Sequence, residues 1–133
     1  MKRISILFIA LIASAAVLSA QENTTTIEFA ETTHNFGNIQ ESAGDATCEF
    51  NFTNTGKTPL IITRVTSSCG CTAPSYPKEP ISASEKGIIS VTYHANGRPG
   101  GFAKNITVYA NTTPESTLLQ IKGNVIPEIT QDK

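Results

Sequence analysis

The chain lacks the local patterns on which most enzyme chemistry depends. Beyond its first twenty residues no stretch has helical periodicity, and no Cys-x-x-Cys, Gly-x-Ser-x-Gly or paired-carboxylate motif occurs. A thioredoxin-like exchange site needs Cys-x-x-Cys at a helix N-terminus, where the dipole lowers the pKa of the first thiol. A serine hydrolase elbow needs a strand-to-helix turn around its nucleophile. Neither is present, so no residue is assigned a catalytic role and no cofactor is expected. Basic charge is also short: 10 Lys and Arg stand against 11 Asp and Glu in 133 residues. Two of the ten, Lys2 and Arg3, fall in the leader, leaving eight against eleven (8 − 11, near −3). Without a basic stripe to meet phosphates, nucleic acid is not an expected partner.

Long apolar runs are missing too, with one exception. Ile4 to Leu18 is apolar apart from Ser5 and Ser14, follows Lys2-Arg3 and precedes Ser19-Ala20. That is the layout of a signal peptide over residues 1–20, and it is shorter than the roughly 20 apolar residues of a bilayer span. No cysteine follows it to carry a lipid, and no second apolar segment is long enough to span a membrane. The expected location is the periplasm or the extracellular space. A polar lead over 21–25, one domain over 26–126 and a polar tail over 127–133 complete the expected organisation.

What the domain does have is a period of two. Cys48, Phe50 and Phe52 alternate with Glu49, Asn51 and Thr53, as do Ile89, Val91 and Tyr93 with Ser90, Thr92 and His94. Such alternation marks strands with one buried and one wet face. Similar short runs surround Ile27, His34 to Ile39, Leu60 to Val65, Ile106 to Ala110 and Leu119 to Val125. Asn54-Thr55-Gly56-Lys57 reads as a turn and Asn96 to Gly101 as a glycine-rich hairpin. Pro74, Pro77 and Pro80 suit a stiff crossing loop over 73–87 rather than a strand interior. About seven short antiparallel strands without a helix imply an all-β, immunoglobulin-like sandwich.

The sharpest local chemistry is Ser68-Cys69-Gly70-Cys71-Thr72. In an extended strand, residues two apart lie about 6.6 Å apart at Cα, near the upper limit for a disulfide. A bend at Gly70 would close that gap. Alternatively, Cys48 pairs with one of the two, closing a loop that adds about 3 kcal/mol on the chain-entropy model. A third reading has Cys69 and Cys71 hold a soft metal ion with His94 or His34. Structural, redox, metal-binding and partner-linking roles for Cys48, Cys69 and Cys71 all remain open at this level. Tyr76 in the proline-rich loop and Arg98 at the hairpin tip are candidates for contact with a partner.

Several stretches together resemble an exported bacterial family known as domain of unknown function 1573. They are His34-Asn35-Phe36-Gly37, Phe50 to Gly56, Ser67 to Thr72, Pro77 to Pro80, Gly87 and Gly97 to Gly100. The resemblance covers residues 26–126, although the family often has Asp where this chain has Asn35, and Cys48 lies outside its motif. It implies an immunoglobulin-like domain similar to those of the major sperm protein and the pilus chaperones. The function expected is therefore a non-enzymatic module that binds a protein partner in the cell envelope. The alternative is a thiol-redox or soft-metal-binding envelope protein using Cys69 and Cys71.

Overall fold

A computed structural model describes residues 24–129. The expected signal peptide lies outside the described residues, as do 21–23 of the lead and 130–133 of the tail. Eight strands run in chain order: β1 (Ile27–Phe29), β2 (Thr33–Gln40), β3 (Asp45–Asn54), β4 (Ile62–Ser67), β5 (Thr72–Ser75), β6 (Lys86–His94), β7 (Gly100–Ala110) and β8 (Ser116–Ile126). They form two four-stranded sheets, ordered β1-β3-β6-β5 and β2-β8-β7-β4. Alternation places Phe50, Phe52, Ile89, Val91 and Tyr93 of the first sheet against Ile106, Val108, Leu119, Ile121 and Val125 of the second. Each of these side chains is at most 2% exposed. Fully burying one large apolar side chain contributes about 1.5–3 kcal/mol, so this interface is the main source of stability. The architecture is the expected immunoglobulin-like sandwich.

The eighth strand comes from the segment expected to be a loop. Thr72–Ser75 pairs antiparallel with β6, with Pro74 opposite Val91. Proline fits there because β5 is a sheet edge. The His94 amide donates to the Cys71 carbonyl, so backbone groups at alternating positions 71, 73 and 75 face β6. Position 74 therefore faces the open side, where a missing N–H breaks no ladder bond.

A second difference concerns β2, which runs parallel to β8 rather than antiparallel to a neighbour. The chain leaves the first sheet after β1, crosses at Ala30 to Thr32 and joins the second. The crossing is fixed at one side by the Ala30 amide on the Asn51 carbonyl and at the other by the Gln120 amide on the Thr32 carbonyl. Within β2 the register slips between Asn35 and Asn38. Gly37 sits there with φ +66°, and its amide donates to Asn35 Oδ1 at 2.9 Å. Left-handed backbone at this bulge is the reason for glycine. An aspartate at position 35 would offer the same acceptor.

Candidate functional site

The cysteine run occupies the corner where the chain passes from β4, an edge of one sheet, to β5, an edge of the other. Cys69 and Cys71 form a disulfide, with their Cα atoms 5.3 Å apart. That is shorter than an extended strand allows because residues 68–71 turn. The Ser67 hydroxyl donates to the Cys69 carbonyl at 2.6 Å and lies 3.2 Å from the Thr72 carbonyl. The Cys71 amide points at Cys69 Sγ at 3.3 Å. Ser68 closes the corner against β7, its amide on the Asn105 carbonyl and its hydroxyl accepting from the Asn105 amide. Cys71 is buried and Cys69 half-buried. A ring closed between positions two apart removes little chain entropy, less than about 2 kcal/mol. The bridge therefore acts chiefly as a local clamp on the crossover.

The alternative pairing through Cys48 is not formed: Cys48 is a free, buried cysteine on the inner face of β3. Cys69 and Cys71 already satisfy each other at the turn, so neither is left for it. Burial, with the adjacent Glu49 carboxylate adding to it, pushes the Cys48 thiol up from 9.0 to about 11. Below pH 9 the thiol is protonated in both folded and unfolded chains. Between 9 and 11 only the unfolded chain gives up its proton, so stability falls as pH rises through that window. Urea unfolding at pH 8.5 and 10.5 should show a smaller alkaline loss in Cys48→Ala than in the parent. Parallel losses in the two proteins would remove Cys48 as a contributor.

The histidines do not join the cysteines. Nδ1 of His94 donates to Asp45 Oδ1 across β3 and β6 at 2.8 Å. His34 meets Phe36 edge-on, with ring centres 4.6 Å apart. Phe36 in turn contacts Phe102, which stacks on Tyr93 at 3.8 Å. His34 is thus the end of an aromatic row between the sheets. The His94 and Cys71 backbones are bonded, but no group of three His, Cys, Asp or Glu is placed to hold a metal among the described residues.

Tyr76 is half-buried and packs against the core, with Lys78 Nζ over its ring at 3.1 Å. Arg98 turns back on its own hairpin, Nη1 donating to the His94 carbonyl at 3.2 Å. A different tyrosine and arginine lie on the outer face of the second sheet. Arg64 of β4 is opposite Tyr109 of β7, and its guanidinium sits 4.1 Å from the ring centre. Diagonally beyond Tyr109, on β8, Leu118 is 58% exposed, and Ile61 just before β4 is 41% exposed. The resulting patch reaches the open edge of β4. In sequence it is hidden, since Tyr109 and Leu118 each look like the wet-face member of an alternating strand.

Asn54 is the other residue whose role the sequence concealed. It is fully buried at the end of β3. Its amide nitrogen donates to the carbonyls of Thr58 and Ile81, at 2.8 and 2.9 Å. Its oxygen accepts from the Gly56 amide at 2.9 Å. One side chain thereby ties the β3–β4 turn to the loop before β6.

These features define a small immunoglobulin-like β-sandwich with a disulfide-clamped crossover and an aromatic–arginine patch on its second sheet. Over residues 27–125 the chain matches the family described as "Protein of unknown function (DUF1573)", and it belongs to that family. A protein of unknown function from Porphyromonas gingivalis W83 has a similar fold, with 16% identity and a TM-score of 0.67 over 77% of this chain. The chain spans 47% of that protein's length, about half. PapD-like domain 7 of human CEP192 is similar over 80% of this chain and 89% of its own, with 13% identity and a TM-score of 0.65. The YadV chaperone is similar at 15% identity and a TM-score of 0.52, over 80% of this chain and 54% of its own. No curated protein matches the chain in sequence.

Proposed function

We propose that the domain is a non-enzymatic interaction module of the cell envelope, docking a protein partner on the outer face of the second sheet. The observation that carries the reading is the Arg64–Tyr109–Leu118 patch beside the open β4 edge. Tyrosine and arginine are over-represented among residues that dominate binding energy, and Leu118 on the next strand adds apolar area beside the tyrosine. Export is supported by the leader pattern over residues 1–20. It is supported also by the Cys69–Cys71 bridge, because disulfides persist in oxidising compartments.

The test is retention of partners from a native envelope extract by tagged protein, compared across variants. Tyr109→Ala combined with Leu118→Glu should weaken retention about 30-fold or more, the scale of a lost hot spot. Ile88→Ala, on the outer face of the first sheet, should leave it unchanged. Equal retention by the patch variant and the parent would overturn the proposal. The thiol-exchange reading makes the opposite demand, that Cys69→Ser/Cys71→Ser abolish retention while the patch variant keeps it. Its support is the half-buried Cys69 end of the bridge.

A further inference from the structure

The first sheet has a half-empty edge. β1 is three residues long and pairs only with Phe52 to Asn54 of the ten-residue β3. The Ala30 amide on the Asn51 carbonyl is the last bond before the chain crosses to the other sheet. That bond fixes which β3 backbone groups face outward. Alternation from Asn51 assigns Glu49, Thr47 and Asp45 to the same side, where no backbone partner is found among the described residues. Asp45 to Glu49 thus presents a vacant ladder of five residues, about 16 Å at the usual strand rise.

The four terminal strands of the two sheets each carry a device that discourages pairing. β2 has a register break and Gly37 at φ +66°, β4 has a register break between Ile62 and Arg64, β5 has Pro74, and β1 is very short. β3 has none of these: it pairs with β6 from Asp45 to Thr53 without interruption.

The charge around the vacancy selects an occupant. From Thr24 to Gly56 the charged residues are Glu28, Glu31, Glu41, Asp45 and Glu49, and no Lys or Arg occurs until Lys57. Glu28, Asp45 and Glu49 are exposed, with Asp45 bonded to His94 of β6 at 2.8 Å. A lysine of β6, Lys86, lies opposite Thr53 at the β1 end of the strand. Like charges facing each other across paired strands are unfavourable, so two copies of this edge repel. A segment rich in Lys or Arg is favoured for the same reason.

We infer that the Asp45–Glu49 edge of β3 receives an extended, basic segment of a partner protein by β-strand addition, in line with β1. The recognition mode is main-chain hydrogen bonding, with alternate side chains giving specificity. The inference rests on the reading of the domain as an interaction module, but not on the patch of the second sheet.

The probe is a synthetic peptide of about eight residues, a common strand length, alternating Lys with Val. Amide exchange at Thr47 and Glu49, followed by NMR on the intact protein, should slow about tenfold or more on saturation. A Glu/Val peptide, and a Lys/Val peptide N-methylated on alternate amides, should give no protection. Glu49→Lys should weaken the Lys/Val peptide about tenfold, and raised salt should weaken it as well. Three results would each overturn the inference: slow Thr47 and Glu49 amides in the free protein, peptide binding that leaves these amides unprotected, or a dimer paired through this edge. Tyr109→Ala/Leu118→Glu should bind the peptide as the parent does. Its loss of envelope partners and a failure of peptide protection are therefore separately readable.

Discussion

Gly87→Ala is expected to destabilise the domain by about 2–3 kcal/mol, at the upper end of the usual cost of overpacking a core. Gly87 lies opposite Phe52 in the β3–β6 ladder, and the phenyl ring lies across it. A Cβ built there would stand 2.3 Å from Cζ of that ring. The ring has little room to yield, because Phe52 is 2% exposed and is also held by Phe29, with ring centres 5.7 Å apart. Aromatic cover of a strand glycine recurs in the other sheet, where Phe102 lies over Gly123. If sterics are the cause, a smaller partner should relieve them. Phe52→Leu combined with Gly87→Ala should be less destabilised than the sum of the single variants, by roughly 1 kcal/mol or more. Denaturant unfolding of the four proteins measures this coupling. Strict additivity would mean that the ring is not what excludes a side chain at position 87.

The two-sheet architecture was legible because burial alternates faithfully along β3, β6 and β7. In β3 and β6, each apolar position the period of two assigned to the core is buried, from Cys48, Phe50 and Phe52 to Ile89, Val91 and Tyr93. The split of the N-terminal segment was not legible. Periodicity around His34 to Ile39 says that one face is apolar, but β8, its parallel partner, lies about ninety residues away. Pro74 misled for a related reason: proline forbids a ladder bond on one side only, and which side faces a neighbour is a tertiary fact. The cysteine run marked a corner without revealing its pairing, because that depends on how far the chain turns at Gly70. Tyr76 and Arg98 stood out for their setting among prolines and glycines, yet each is occupied by its own surroundings. Arg64 and Tyr109 come together only through the register of β4 on β7.

Asn54 provides the second large effect, and the comparison of two substitutions tests its donor roles. Asn54→Ala removes three hydrogen bonds at a fully buried position. It leaves the Gly56 amide and the Thr58 carbonyl without that partner, and takes one of two bonds from the Ile81 carbonyl, which still accepts from the Leu60 amide. At about 1–1.5 kcal/mol for each bond, with a further penalty for groups left buried and unpaired, a loss of about 3–4 kcal/mol is expected. Asn54→Asp is nearly isosteric and keeps an acceptor for the Gly56 amide, so packing alone would make it the milder change. It nevertheless sets a carboxylate against the carbonyl oxygens of Thr58 and Ile81 where the amide had donated to both. Either a charge is buried facing two acceptors, or the carboxyl is protonated and can donate to one of them only. Asn54→Asp should therefore be at least as destabilised as Asn54→Ala at pH 7, and should recover part of the difference as pH falls and the carboxyl takes up a proton. Urea unfolding of the two variants at pH 7 and pH 4.5, each referred to the parent at the same pH, separates the cases. An aspartate variant milder than alanine at pH 7 would show that the amide is not the donor to these carbonyls, and that the turn is held by the Gly56 contact alone.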